Sequence, residues 1–158
     1  MTSQGVAVKT LIVVRHAKAE HVAGLADRER GLTARGERNA REAGDLIRPL
    51  EPALIVSSPA VRTRRTAELL GLDAPIELDG GIYEAYPDEL LELLRRTDPE
   101  VDTLVLVGHN PGVHELVLSL TGTQDDRFPP GAFAVIELAA PWEEVVPRTG
   151  RLVRTHHP

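Results

Sequence analysis

The chain has 158 residues, with 18 lysines and arginines against 24 aspartates and glutamates, and no cysteine. A formal net charge of −6 sets a repulsive field against nucleic-acid phosphates, which argues against nucleic acid as a partner. The absence of cysteine excludes disulfides, thiolate nucleophiles and cysteine-ligated metals, and it fits a reducing compartment. No apolar stretch approaches membrane-spanning length, and Met1–Lys9 lacks the basic, apolar and small-residue succession of a secretory leader. The sequence therefore predicts a cytoplasmic protein with no membrane partner, forming one domain over residues 1–158.

Thr10-Leu11-Ile12-Val13-Val14 is an apolar run of the kind that fills a parallel strand buried on both faces, and it stops at Arg15-His16. A charged loop follows, roughly Ala19 to Leu32. Thr33 is placed to cap a helix through about Ile47, whose apolar positions Ala40, Ala43, Leu46 and Ile47 keep helical spacing. Ala53-Leu54-Ile55-Val56 predicts a short strand. Ser57-Ser58-Pro59 predicts a helix start, with Ser58 as cap, Pro59 at the first helical position and Gly71 closing the helix. Ile76-Glu77-Leu78 reads as an edge strand. Pro87-Asp88-Glu89 opens a third helix and Arg95-Arg96 closes it, each charge set against the opposite dipole end.

Thr103 to Val107 repeats the first pattern and runs into Gly108-His109-Asn110-Pro111-Gly112. A fourth helix then extends from near Pro111 to just before Gly122. Ala132 to Leu138 and Arg151 to Thr155, with no helix between them, predict an antiparallel pair at one side of the sheet. The fold class is α/β: three αβα layers with a mainly parallel central sheet and an antiparallel C-terminal portion.

Sites in open α/β sheets lie beyond the carboxyl ends of the strands. Three strand-to-helix junctions end there, bearing Arg15 and His16, Arg62, and His109. A neutral imidazole with one nitrogen held by an acceptor is a nucleophile toward phosphorus, and a neighbouring guanidinium both binds phosphate oxygens and disfavours the imidazolium. The predicted helix start near Ser58 adds backbone donors. Phosphoryl transfer needs little beyond this positioning and charge. Glu84 is the candidate acid for the leaving group. Taken singly, each junction also reads as a structural His or a solvated Arg, and Arg64 and Arg65 as a surface face. His21, His114, His156 and His157 need no function; His114 reads as packing or support, and the C-terminal pair as exposed. No close ligand spacing predicts a metal site.

The stretches Val13-Val14-Arg15-His16-Ala17-Lys18, Leu32-Thr33-Ala34-Arg35-Gly36, Ser57 to Thr63, Val107 to Gly112 and Pro130 to Ala134 together resemble the histidine phosphatase superfamily, of phosphoglycerate mutase-like fold, and within it the SixA-type phosphohistidine phosphatases. The resemblance implies that His16 is the phosphorylated nucleophile, that Arg15, Arg62 and His109 complete a phosphate pocket, and that no cofactor or metal takes part. Ala17, Ala19 and Val22 depart from the family's commoner glycine, hydroxyl and asparagine, which weakens a mutase reading. The implied activity is hydrolysis of protein phosphohistidine. Small phosphomonoesters and a non-catalytic phosphate-binding module are the alternatives. Partner protein and oligomeric state stay open.

Overall fold

The first apolar run occupies the middle of the sheet. In the computed structural model, which describes residues 8–158, it forms β1 (Lys9–Arg15), flanked on one side by the parallel β4 (Thr103–Gly108) and on the other by the antiparallel β5 (Phe133–Leu138). The reading of Met1–Lys9 as free of a leader falls outside the described residues, Val8 and Lys9 excepted. β2 (Leu54–Ser57) pairs parallel with β4 and with the edge strand β3 (Ile76–Leu78), and β6 (Gly150–His156) pairs antiparallel with β5. The strand order is β3-β2-β4-β1-β5-β6, a parallel block with the predicted antiparallel pair at one side.

Side chains alternate across the sheet, so one strand feeds two cores. Leu11 and Val13 of β1, with Leu104 and Leu106 of β4, pack on the face covered by α3 (Pro87–Arg95) and α4 (Gly112–Thr121). Ile12 and Val14, with Val105 and Val107, pack on the face covered by α1 (Ala34–Ile47) and α2 (Val61–Leu69). Both faces of the central strands are thus apolar, which is why they read as continuous hydrophobic runs.

Caps set most helix boundaries as predicted. Thr33 Oγ1 accepts from the Gly36 amide at 2.9 Å, and Gly122 ends α4 in the left-handed region at φ 68°. Glu89 accepts from the Tyr86 amide at 2.8 Å, tying down the start of α3. Two expectations are corrected. α2 begins at Val61 rather than Pro59, because Ser58 Oγ bonds the Ala60 amide at 3.3 Å and holds a turn that delays the helix. His156 and His157 are half-buried rather than exposed, since β6 runs on to His156, whose ring stacks on Phe133 with centroids 5.1 Å apart. Among the described residues no helix is long and apolar enough to cross a membrane.

Candidate active site

Strand register brings the three junctions together. Arg15 lies opposite Gly108 across β1 and β4, and Ser57 lies opposite Val107 across β2 and β4. His16 and His109, each one residue past the first pair, therefore leave adjacent strands at one level of the carboxyl edge, and Ser58 follows one residue short of it, level with Gly108. The His16 amide donates to the Gly108 carbonyl at 3.1 Å, and the His16 carbonyl accepts from Gly131 at 2.9 Å. These bonds fix the backbone beneath the ring. The His16 and His109 rings stand 5.5 Å apart, centroid to centroid.

His16 is 8% exposed, and its Nδ1 lies 2.8 Å from the Ala17 carbonyl. A carbonyl only accepts, so Nδ1 carries the proton and Nε2 keeps its lone pair. Burial lowers the His16 pKa to about 4; the Ala17 carbonyl pulls it upward, and Arg15, Arg62 and Arg30 each push it further down by less. His109 is lowered to about 3, first by burial and then by Arg62. Both rings are neutral at pH 7. His109 Nε2 lies 2.8 Å from Ser58 Oγ, which already accepts from the Ala60 amide. With the Ser58 hydroxyl assigned as donor to His109 Nε2, the ring proton sits on Nδ1, which becomes a donor.

The two guanidiniums are fastened by different loops. Arg15 Nη1 donates to the Phe128 carbonyl at 3.1 Å, and Asn110 Nδ2 donates to the same oxygen at 3.0 Å. Arg62, 6% exposed in the first turn of α2, donates from Nη1 to the Asp27 carbonyl at 2.7 Å and from Nη2 to Asp27 Oδ2 at 2.9 Å. Tyr83 Oη donates to the same Asp27 Oδ2 at 2.5 Å, which with Arg62 and Arg30 holds the Asp27 carboxyl far below the usual carboxylate range. Arg15 Nε, Arg62 Nε and His109 Nδ1 are buried with no hydrogen-bond partner. Unpaired buried donors cost about 1–3 kcal/mol each.

A cleft of about 600 Å³ opens beside these groups, lined among others by Asp27, Arg62, Tyr83, Glu84, His109 and Glu115. Glu84 is exposed on its wall at φ 58°. Its neighbour Ala85 abuts α4 so closely that a Cβ on Gly112 would lie 2.3 Å from the Ala85 carbonyl oxygen. Only glycine at that helix start lets the Glu84 loop lie against the His109 junction.

The four predicted residues Arg15, His16, Arg62 and His109 thus meet at one edge, with Glu84 on the adjoining cleft. Arg65 is drawn away from it, toward Glu37 at 3.7 Å and Glu68 at 3.5 Å, and Arg64 is exposed. His114 supports the rim: its Nε2 lies 2.7 Å from the Asp125 carbonyl and its ring stacks on Phe128, whose carbonyl holds Arg15. Asp27 and Tyr83 escape the sequence reading. A buried arginine requires a counter-charge, but nothing in the charged loop marks Asp27 over Glu20 or Glu29. Among the described residues no group of three or more His, Asp or Glu is arranged to hold a metal ion.

Comparison with known proteins adds the class. Residues 11–103 match the model of the histidine phosphatase superfamily, branch 1. The uncharacterized protein Rv1276c of Mycobacterium tuberculosis is 35% identical over 157 residues, covering 92% of this chain and 99% of its own. The structure of a candidate phosphohistidine phosphatase SixA from Nakamurella multipartitia superposes with TM-score 0.89 at 26% identity, over 97% of this chain and 98% of that one. The protein histidine phosphatase SixA complexed with tungstate shares the fold, with TM-score 0.82 at 23% identity over 94% of this chain and 97% of its own.

Fold and comparisons together define a hydrolase: a phosphatase on the phosphoglycerate mutase-like fold. The chain belongs to the histidine phosphatase superfamily, branch 1, and its fold is similar to those of the SixA structures.

Proposed function

We propose that the chain is a metal-independent phosphatase working through a phosphorylated His16, with protein phosphohistidine as its substrate. One observation carries the reading. Each of four side chains at the sheet edge fastens one part to the fold and keeps another nitrogen unfastened. His16 holds Nδ1 and keeps Nε2, His109 holds Nε2 and keeps Nδ1, and both arginines hold terminal nitrogens and keep Nε. One nucleophile and three donors without acceptors match the needs of a phosphoryl dianion.

The reaction runs in two in-line displacements. His16 Nε2 attacks phosphorus, the P–Nε2 bond forms, and the bond to the leaving group breaks as that group takes a proton. Arg15, Arg62 and His109 offset the charge on the equatorial oxygens. Water then attacks the phosphoenzyme, the P–Nε2 bond breaks, phosphate departs, and the proton released by water leaves with phosphate or passes to a nearby base. His16 needs no deprotonation first, because burial and the arginines keep it neutral.

Two features support a nitrogen leaving group on a protein. A phosphohistidine imidazole can be protonated before it departs, so an exposed Glu84 suffices. Glu84 and Glu115 also line the cleft, and their carboxylates oppose small substrates that carry a second acidic group. The position of Glu84 on the same wall as His109 favours the second reading, phosphomonoester hydrolysis with Glu84 as the acid.

Turnover of a phosphohistidine peptide and of a sugar phosphate, with His16→Ala as blank, separates the two readings. The expected result is faster turnover of the peptide, with Glu84→Gln slowing only the ester. Faster turnover of the sugar phosphate contradicts the substrate assignment, and tungstate binding without any turnover contradicts the catalytic one.

A further inference from the structure

We propose that Asp27 is a positioning residue, a clamp that orients the Arg62 guanidinium for the phosphoryl group. This rests on the reading of the pocket above. Arginine side chains carry large rotamer freedom, and their forked donors discriminate only when held in plane. Asp27 holds Arg62 with two acceptors of different kinds, its main-chain oxygen on Nη1 at 2.7 Å and its carboxylate on Nη2 at 2.9 Å. Each terminal nitrogen thereby commits one N–H to Asp27, and Nε is left without a partner.

Asp27 is itself held from two further directions. Its Oδ1 accepts from Arg30 Nη1 at 3.0 Å, and Arg30 is tethered by Nε to the Glu20 carbonyl at 2.8 Å. Its Oδ2 accepts from Tyr83 Oη at 2.5 Å, and the Tyr83 ring meets His109 edge-on at 5.2 Å with the Arg28 guanidinium 4.3 Å above it. The loop after β1 and the loop after β3 thus converge on one carboxylate, which grips a side chain from α2.

The role is geometric rather than stabilising. Arg62 is buried, but the Asp27 side chain is 49% exposed, so water shares in screening the guanidinium, and the Nη1 bond to the Asp27 carbonyl survives truncation of the side chain. Nor is Asp27 a proton donor, since Tyr83, Arg62 and Arg30 keep it ionised. A bare negative charge beside an anion site would weaken anion binding, so its removal would tighten it. A clamp predicts the opposite sign.

The test is tungstate affinity by calorimetry for the wild type, Asp27→Ala and Asp27→Asn, with thermal midpoints measured alongside. Asp27→Ala is expected to raise the tungstate dissociation constant at least about tenfold with little change in midpoint, since misplacement near 1 Å suffices for large losses. Asp27→Asn keeps an acceptor for Nη2 and is expected to bind within about threefold of the wild type or tighter. Unchanged or tighter binding by Asp27→Ala overturns the clamp alone. Equal losses in both variants, tracking a lowered midpoint, also overturn it in favour of a folding role. A wild type that fails to bind tungstate overturns the pocket and the clamp with it.

Discussion

His16 gains on the proposed mechanism from a placement that would cost an ordinary histidine. A ring 8% exposed between guanidiniums stays neutral, and a neutral ring is the attacking form. The sign for stability follows. His16 and His109, ordinarily near 6.5, are depressed to about 4 and about 3, so the unfolded chain takes up protons that the fold refuses. Their contribution is fully present above pH 6.5 and is lost as pH falls through about 4 and then about 3. Thermal midpoints from pH 7 to 4 should fall less steeply in His16→Asn than in the wild type; parallel curves would contradict the depressed values. For Arg62→Ala the expected loss in kcat/KM is about 10²–10³, the size found when one preorganised donor is removed from a charge-stabilising site. Steady-state kinetics on a phosphoramidate would check it. Arg15, His16, Arg62 and His109 are legible in the sequence because each ends or follows a recognisable strand. Asp27 and Tyr83 are not, because their meeting depends on how two irregular loops fold over α2.

The elements converge through register more than through any local motif. Arg15 opposite Gly108 and Ser57 opposite Val107 are what set three junctions within one residue of a common level. A one-residue slip would send these side chains to the other face. The two-sided apolar runs make β1 and β4 legible as parallel strands buried on both faces. α2 starts two residues later than its proline suggests. Ser58 has the chemistry of a cap, but its hydroxyl bonds Ala60 and meets His109 instead. Burial of His156 and His157 was illegible because it comes from β6 lying along β5, a long-range pairing. Helix contact offers a further prediction. A Cβ on Gly44 of α1 would lie 1.8 Å from the Leu70 carbonyl oxygen at the end of α2. Gly44→Ala should therefore destabilise by at least about 1–3 kcal/mol. The thermal midpoint should drop by roughly 2–4 °C per kcal/mol. An unchanged midpoint would mean that α1 and α2 do not approach this closely.

At the scale of the whole molecule, an acidic protein gathers three unpaired nitrogens, Arg15 Nε, Arg62 Nε and His109 Nδ1, at one edge of its sheet. A net charge of −6 repels anions at a distance, while Arg15, Arg62 and His109 attract one locally. The reaction as derived asks nothing of a metal, so turnover after exhaustive chelation should match that of the untreated protein. Activity lost to the chelator and restored by a divalent cation would contradict it. The most direct test of the central claim is to quench the protein during turnover of a labelled phosphoryl donor and locate the label. A covalent label on His16, stable in alkali, labile in acid and absent from His16→Ala, is the predicted result. Label on another residue, or label that persists in the variant, would contradict it.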